Sequence, residues 1–124
     1  MCNVLIVDDS TSTCTLLKDF LEEINHNVLI SNEENEALRK KIDLKPGIII
    51  LDLIMDGIGG IEVLKQVRTF NKEVGIIMIS TDTNETICME ALETGADMYI
   101  TKPVDFNHLA TNILPHLIKT KGLN

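Results

Sequence analysis

Short apolar runs in this sequence end, one after another, in acids, a hydroxyl and a lysine, the groups that coordinate metal ions and handle phosphoryl groups. Such runs are typical of strands buried on both faces, and in open parallel sheets the ligand crevice lies beyond the carboxyl ends of the strands. One crevice is therefore predicted to hold three carboxylates, one hydroxyl and one ammonium. The runs and the residues after them are Val4 to Val7 with Asp8 and Asp9, Ile48 to Leu51 with Asp52, Ile76 to Ile79 with Ser80, and Met98 to Ile100 with Thr101, Lys102 and Pro103.

The adjacent acids Asp8 and Asp9 are costly at the end of a buried strand, because like charges held close together oppose each other's ionisation. Asp52 adds a third carboxylate, and a divalent cation would offset the repulsion. Mg²⁺ typically takes one or two carboxylates together with water and phosphate oxygens, and Lys102 would neutralise a further oxygen. Taken singly, these residues have more ordinary interpretations as a helix-capping pair, a strand-end acid and a surface lysine. None of those separate roles explains their convergence at one sheet edge.

The elements that would position these residues alternate five times between strand and helix. Alternation of this kind favours an α/β fold, with a parallel sheet, right-handed crossovers and helices on both faces. The predicted strands are Asn3 to Val7, Val28 to Ile30, Ile48 to Leu51, Ile76 to Ile79 and Met98 to Ile100. Five helices are predicted. The first follows Ser10 and buries Leu16, Leu17, Phe20, Leu21 and Ile24, the second runs from Glu33 to Ile42, and the third buries Ile61, Leu64 and Val67. The fourth runs from about Thr83 to Glu93, and the fifth begins at about Asp105 and buries Phe106, Leu109, Ile113 and Leu117.

Two features interrupt these patterns. The loop from Leu53 to Gly59, with glycines at 57, 59 and 60, is interpreted as flexibility beside Asp52. Pro115 lies inside the last helical pattern, where it would remove one backbone hydrogen bond and cost about 3 kcal/mol or kink the helix. The sequence leaves open whether Pro115 kinks or breaks that helix.

Length, charge and cysteine spacing limit the classes of function. The 124 residues suffice for one good core, so residues 1–124 are predicted to form a single domain. A formal net charge of −8 argues against direct binding to nucleic acid, which needs clustered lysine and arginine. The three cysteines are far apart, and no apolar stretch approaches the ~20 residues that span a bilayer. We therefore expect a soluble, cytoplasmic protein with reduced cysteines and no membrane contact.

Over nearly its whole length the chain resembles the receiver domain of two-component response regulators, of the kind found in chemotaxis regulators. The matching pieces are the Asp8-Asp9 pair, Asp52, Ser80, Gly95-Ala96-Asp97, Tyr99 and Lys102-Pro103. Each piece alone is weak, but their order and spacing together are highly specific. The resemblance implies a flavodoxin-like, doubly wound, five-stranded parallel sheet of order 2-1-3-4-5, with five helices on its two faces.

The resemblance also implies a reaction. Asp52 would accept a phosphoryl group from a phosphohistidine on a sensor histidine kinase or a phosphotransfer protein. The domain would be a signalling module rather than a turnover enzyme. Mg²⁺, with Mn²⁺ as a second candidate, would be held by Asp8, Asp9, the Asp52 carboxylate and the backbone carbonyl of Ile54.

A conformational switch is implied as well. Lys102 would pair with the phosphoryl group, and the Ser80 hydroxyl would donate to one of its oxygens. As Ser80 moves toward the phosphoryl group, Tyr99 would move inward. The surface of the fourth helix, fifth strand and fifth helix would then change for an output protein or domain, or for a second copy of the chain. In this family the peptide before Pro103 is usually cis.

Three positions depart from the family's commonest pattern. Asp56 stands where a proline is frequent, and Thr81 stands where a smaller residue is common. Ile54 is apolar, and we hypothesise that it hinders an attacking water and prolongs the phosphorylated state.

Two other functions compete with phosphoryl acceptance. The main alternative is a receiver-like interaction module that is not phosphorylated. A phosphatase of the haloacid dehalogenase type is disfavoured, because its Asp-x-Asp-x-Thr run is absent after Asp52.

Overall fold

In the computed structural model, which describes residues 2–31, 42–54 and 59–123, the apolar runs of the sequence form one parallel sheet. The strands are β1 (Asn3–Val7), β2 (Asn27–Ser31), β3 (Ile48–Asp52), β4 (Gly75–Ser80) and β5 (Met98–Thr101). Their order across the sheet is β2-β1-β3-β4-β5, and every neighbouring pair is parallel. The predicted α/β fold and strand order are therefore confirmed.

Four helices accompany the sheet within the described residues. They are α1 (Thr11–Glu23), α2 (Gly60–Phe70), α3 (Glu85–Thr94) and α4 (106–121, which consists of Phe106–His108, a π-helical segment at Leu109–Ile113, and Leu114–Lys121). These correspond to the first, third, fourth and fifth predicted helices. The predicted helix from Glu33 to Ile42 lies outside the described residues except at Ile42, as do Asp56 and Gly57. In the part of the chain that the structure covers, no helix combines the length and the apolarity needed to cross a membrane.

Two apolar layers cover the two faces of the sheet, because successive residues of a strand point to opposite faces. The layer beneath α2 and α3 contains Leu5, Val7, Ile49, Leu51, Val63, Leu64, Val67, Ile76, Met78 and Ala91. The layer beneath α1 and α4 contains Val4, Ile6, Cys14, Leu17, Leu21, Ile48, Ile50, Ile77, Ile79, Leu109, Ile113, Leu114 and Leu117. Because both faces are covered, the central strands β3 and β4 carry continuous apolar runs, and the only charged or hydroxyl side chains in them are those of their last residues, Asp52 and Ser80.

The inward face of α1 differs from the prediction. Leu17 and Leu21 are buried as expected, but Leu16 is 59% exposed, and Ile24 at the helix end is 36% exposed. Cys14, three residues before Leu17, takes the buried position instead. At 3.6 residues per turn, adjacent side chains point in directions about 100° apart, so when Leu17 points at the sheet Leu16 points to the side, where it is exposed. The prediction that Leu16 is buried was wrong.

Pro115 does not end the last helix. The Leu114 N–H donates to the carbonyl of Leu109, five residues earlier, which makes a π-helical turn just before the proline. The helix then continues over Leu114–Lys121. The wider π-helical turn accommodates a residue that lacks an N–H and whose ring would otherwise clash with the preceding turn. The helix therefore continues through Pro115 without a break.

Asp97 joins three elements at the end of the sheet where the strands begin. Its Oδ2 accepts from the Ile76 N–H at 2.8 Å and lies 3.1 Å from the Arg68 guanidinium. Its Oδ1 lies 3.2 Å from Lys121 Nζ. These contacts tie α2 and the end of α4 to the start of β4, at the opposite end of that strand from Ser80.

Candidate functional site

The register of the sheet brings the residues of the predicted metal and phosphoryl site to one edge. Asp52 and Ser80 are the last residues of β3 and β4, and Asp8 directly follows β1. Val7 is paired with Leu51, so Asp8 and Asp52 leave neighbouring strands at the same level. Because all the strands run in the same direction, these ends form a crevice at the carboxyl edge of the sheet.

Asp8, Asp9 and Asp52 form a cluster of acids in this crevice. Each residue contributes a carboxylate oxygen, and these oxygens lie within 4.8 Å of one another. Asp8 is 0% exposed and Asp52 is 5% exposed, whereas Asp9 faces solvent. The cluster contains no histidine or cysteine, and oxygen ligands of this kind suit a hard divalent cation such as Mg²⁺ or Mn²⁺. The donor set therefore fits the ion that the resemblance implies.

Lys102 bridges the two buried acids. Its Nζ lies 3.0 Å from Asp8 Oδ2 and 3.4 Å from Asp52 Oδ2. Its backbone N–H donates to the Ser80 carbonyl at 2.7 Å, and its peptide bond to Pro103 is cis, the isomer that the resemblance implies. One ammonium cannot neutralise three carboxylates, so the crevice remains attractive to a cation.

The electrostatics of the crevice raise the pKa of Asp52 from 3.8 to about 6. Burial is the main cause and the negative charge of Asp8 adds to it, while the Ile54 N–H and the Lys102 ammonium act in the opposite direction. Burial also acts to lower the pKa of Lys102, but its hydrogen bonds and charge interactions with Asp8 and Asp52 outweigh burial and raise that pKa. Lys102 therefore stays charged at neutral pH, and ionised Asp52 lies in an environment that favours a nearby cation.

Two contacts that the sequence did not predict hold Asp8 in place. The Ser10 N–H donates to Asp8 Oδ1 at 2.8 Å, and the Cys14 thiol donates to the Asp8 carbonyl at 3.3 Å. Ser10 also caps α1, because its side chain accepts from the Thr13 N–H. Burial raises the pKa of Cys14 to about 11, so the thiol keeps the proton that it donates. The spacing of Cys14 from Leu17 and Leu21 was the sequence signal that assigns it to the buried face.

The segment after Asp52 is held from two sides. The Leu53 N–H donates to a carbonyl of β4 at 2.9 Å, and the Leu53 carbonyl accepts from the Gly60 N–H at 2.8 Å. The Ile54 N–H donates to Asp52 Oδ1 at 3.2 Å, while the Ile54 side chain is 57% exposed. Gly60 is the first residue of α2 and is buried, so its interpretation as loop flexibility was wrong.

Ser80 and Tyr99 both contact the backbone of Asp82. The buried Ser80 hydroxyl accepts from the Asp82 N–H at 3.0 Å, and the Tyr99 hydroxyl donates to the Asp82 carbonyl at 2.8 Å. Tyr99 is half-buried against the layer beneath α2 and α3. The loop after β4 therefore connects the two predicted switch residues, a link that the sequence did not reveal.

Comparison with known proteins identifies the family of this fold and site. Residues 4–114 match the family model of the response regulator receiver domain. The chain belongs to this family. Receiver domains are signalling domains that use Mg²⁺ at an acidic pocket and interact with histidine kinases and output domains. The resemblance seen in the sequence is thereby confirmed.

Individual relatives agree with the family. The receiver domain is 31% identical over 119 residues to the transcriptional regulatory protein ZraR of Klebsiella oxytoca, which covers 96% of this chain and 27% of that protein. It is 39% identical over 100 residues to the alkaline phosphatase synthesis transcriptional regulatory protein PhoP of Bacillus subtilis, which covers 81% of this chain and 42% of that protein. The chain therefore spans less than half the length of these curated relatives.

Solved structures match the receiver domain over almost its full length. The CheY-like response regulator receiver domain protein of Methanospirillum hungatei superposes with a TM-score of 0.88 at 27% identity, over 97% of this chain and 96% of that chain. Chemotaxis protein CheY4 of Vibrio cholerae superposes with a TM-score of 0.84 at 29% identity, over 93% of this chain and 98% of that chain. These matches confirm the CheY-like fold.

An apolar groove of about 350 Å³ adjoins the crevice of the receiver domain. It lies between α1 and the segment after β5, and its lining includes Leu16, Thr81, Lys102 and Phe106. Leu16 projects from α1 with 59% of its surface exposed. The groove thus extends from the lysine that contacts Asp52 to an exposed leucine.

Proposed function

We propose that this receiver domain accepts a phosphoryl group on Asp52 from a phosphohistidine of a sensor histidine kinase or a phosphotransfer protein. The observation that carries the proposal is the position of Lys102 Nζ, 3.0 Å from Asp8 and 3.4 Å from Asp52 in a crevice of buried acids. An ionised carboxylate is already a nucleophile and needs no general base. Phosphoryl transfer depends mostly on positioning and charge neutralisation, which these residues supply.

In the proposed transfer, a carboxylate oxygen of Asp52 attacks phosphorus while the phosphorus–nitrogen bond of the donor breaks. The electron pair of the broken bond goes to the donor's imidazole, which leaves as the neutral ring when its other nitrogen carries a proton. Lys102 then pairs with a phosphoryl oxygen. The Ser80 hydroxyl turns from the Asp82 N–H to donate to another of these oxygens.

Mg²⁺, or Mn²⁺ in its place, would be held by Asp8, Asp9, the Asp52 carboxylate and the carbonyl of Ile54. When bound, the ion supplies positive charge to the carboxylates and to the phosphoryl oxygens. The support for this assignment is the cluster of carboxylate oxygens within 4.8 Å of one another and the raised pKa of Asp52. Both features mark a crevice with more negative charge than Lys102 can offset.

The proposed switch runs through the loop after β4. Because the Asp82 backbone contacts Ser80 through its N–H and Tyr99 through its carbonyl, a change at Ser80 shifts the position that holds Tyr99. The surface of α3, β5 and α4 would then change, and an output protein or domain, or a second copy of the chain, would bind one of its forms.

Two further predictions concern nucleic-acid binding and the location of the domain in the cell. We expect this domain itself not to bind nucleic acid, because its formal net charge is −8. ZraR and PhoP are transcriptional regulators by name, but this chain spans only part of their length. A cytoplasmic location is what we expect for a partner of cytoplasmic phosphohistidine donors.

Incubation with phosphoramidate and Mg²⁺, followed by intact-protein mass spectrometry, tests the proposal. We expect the wild type to gain one phosphoryl group and Asp52→Asn to gain none. Asp19→Asn, which changes an exposed carboxylate on α1, is the matched control and should behave as the wild type. No gain on the wild type, or an undiminished gain in Asp52→Asn, would refute the proposal and favour an interaction module that is not phosphorylated.

A further inference from the structure

A buried glycine at the start of α2 lies directly against the backbone of the proposed phosphoacceptor. A Cβ atom at Gly60 would come within 2.6 Å of the Leu53 Cα and 2.9 Å of the Leu53 carbonyl oxygen, and closer still to the carbonyl oxygen of Asp52. All three are backbone atoms, so no side-chain rotation relieves the contact. Carbon–carbon contacts are most favourable at about 3.5–4.0 Å, so a side chain here requires a backbone shift on the order of 1 Å.

Two hydrogen bonds hold the segment from Asp52 to Ile54 against that shift. The Gly60 N–H donates to the Leu53 carbonyl at 2.8 Å, which holds the first turn of α2 against the segment. On the other side, the Leu53 N–H donates to Ile79 of β4 at 2.9 Å. A displaced segment would lose one of these bonds or move the Asp52 carboxylate away from Lys102.

The preceding glycine provides a natural comparison. Among the residues that the structure describes, a Cβ atom at Gly59 would meet nothing within 4 Å. Gly59 is the N-cap of α2 with a φ of −73°, a conformation that other residues adopt readily. Of two adjacent glycines, only Gly60 is required by close approach to the site.

We propose that Gly60 is a positioning residue for phosphoryl transfer, because its lack of a side chain sets the place of the Asp52 carboxylate and of the Ile54 carbonyl. The inference rests on the proposed function of Asp52. Gly60 touches no reacting atom and acts only through the segment that it holds. Since a misplacement of about 1 Å can reduce a rate about 10²-fold, we expect Gly60→Ala to phosphorylate at least about ten times more slowly.

The test compares Gly60→Ala with two control variants and the wild type. Gly59→Ala adds a methyl group with no described neighbour within 4 Å, and Gly47→Ala adds one 3.1 Å from the Leu123 side chain, next to the opposite end of β3. Initial phosphorylation rates are measured against phosphoramidate and Mg²⁺ concentration and are normalised to the folded fraction from circular dichroism. In Gly60→Ala alone we expect the maximal rate to fall at least tenfold and the half-saturating Mg²⁺ concentration to rise several-fold, which a purely structural role would not produce.

A folded Gly60→Ala with wild-type rate and Mg²⁺ dependence would overturn the inference, and so would an equal loss in Gly47→Ala. If Gly60→Ala is unfolded in buffer, all four proteins are measured in trimethylamine N-oxide, which favours the folded state. Persistent unfolding there would assign Gly60 to folding alone and also overturn the inference. A wild type that gains no phosphoryl group would instead refute the proposed function.

Discussion

At the scale of one residue, the ionised form of Asp52, the proposed phosphoacceptor, lowers the stability of the fold. Burial, and then the charge of Asp8, raise its pKa from 3.8 to about 6. An acid whose pKa is higher in the folded state binds its proton more tightly there than in the unfolded chain. Its contribution to stability is therefore complete below about pH 4 and is lost as the pH rises through about 6. The loss is at most about 3 kcal/mol.

Asp52→Asn should consequently stabilise the protein when no divalent cation is present. We expect the free energy of unfolding to rise by roughly 1–3 kcal/mol at about pH 8, and the gain to shrink toward zero near about pH 4. Urea unfolding in the presence of a chelator, followed across this pH range, measures the difference. Asp19→Asn, on the exposed face of α1, should give no such pH-dependent gain. A gain that does not vary with pH would contradict the electrostatic explanation.

Ile54 is expected to control how long the phosphoryl group survives. Its side chain is 57% exposed, and its N–H donates to Asp52 Oδ1, so an apolar group stands next to the proposed phosphoacceptor. An amide in its place could orient a water molecule for attack. We expect Ile54→Asn to shorten the lifetime of the phosphorylated protein several-fold, as measured by intact mass after donor removal. Ile24→Asn, at the far end of α1, serves as the matched change, and unchanged or slower decay in Ile54→Asn would count against the hypothesis.

At the scale of the elements, α1 carries an exposed leucine that a protein phosphodonor would contact and a small-molecule phosphodonor would not. Leu16 lines the groove that reaches Lys102, and it is too exposed to contribute much to the core. A small phosphodonor needs only the crevice, whereas a protein that carries a phosphohistidine must also cover the surface around it. Central apolar side chains of such interfaces often account for much of the binding free energy.

Leu16→Ala should therefore slow phosphorylation by a protein donor while leaving phosphoramidate unaffected. We expect the rate at limiting concentrations of a phosphorylated histidine phosphotransfer protein to fall about tenfold, which corresponds to about 1.4 kcal/mol of lost interaction. Leu44→Ala removes a leucine that is 67% exposed beside Asn3, at the opposite end of the sheet. It should have no effect with either donor. Equal rates for Leu16→Ala and the wild type with the protein donor would show that α1 is not part of the docking surface.

The strands were predictable because each is a continuous apolar run, and β1 matches its predicted bounds of Asn3 to Val7. β4 and β5 extend beyond their runs, since Ser80 pairs with Thr101 although both side chains are polar. Strand pairing is made by the backbone, so it continues where the apolar pattern has already stopped. The sequence pattern therefore predicted the position of each strand, and the functional residues near its end, more accurately than it predicted the residue at which the strand ends.

Features that depend on neighbours in space were not predictable from the pattern. In the sequence, Gly60 resembles any loop glycine. The structure places the start of α2 against the backbone of Asp52 and Leu53, where a side chain would not fit. The fate of Pro115 depended on whether the preceding turn could widen, which the Leu114 to Leu109 hydrogen bond now establishes. A single sequence carries no signal for either contact.

For the molecule as a whole, the proposed cation site exists only in the folded chain. Asp8 and Lys102 are separated by 94 positions in sequence, yet the fold brings Nζ to 3.0 Å from Oδ2. The three acids likewise come from the ends of two separate strands. A cation that needs this arrangement binds the folded state and not the unfolded one, so its binding free energy adds to stability.

Mg²⁺ should accordingly raise the stability of the wild type in a concentration-dependent way. At ten times its dissociation constant the gain should be about 1.4 kcal/mol, which appears as a higher melting temperature at constant ionic strength. Asp9→Asn should lose most of this gain, because it removes the solvent-facing ligand of the cluster, whereas Asp19→Asn should keep it. Equal Mg²⁺ dependence in all three proteins would mean that the ion acts by general screening, and the acids at the sheet edge would then need another explanation for their clustering.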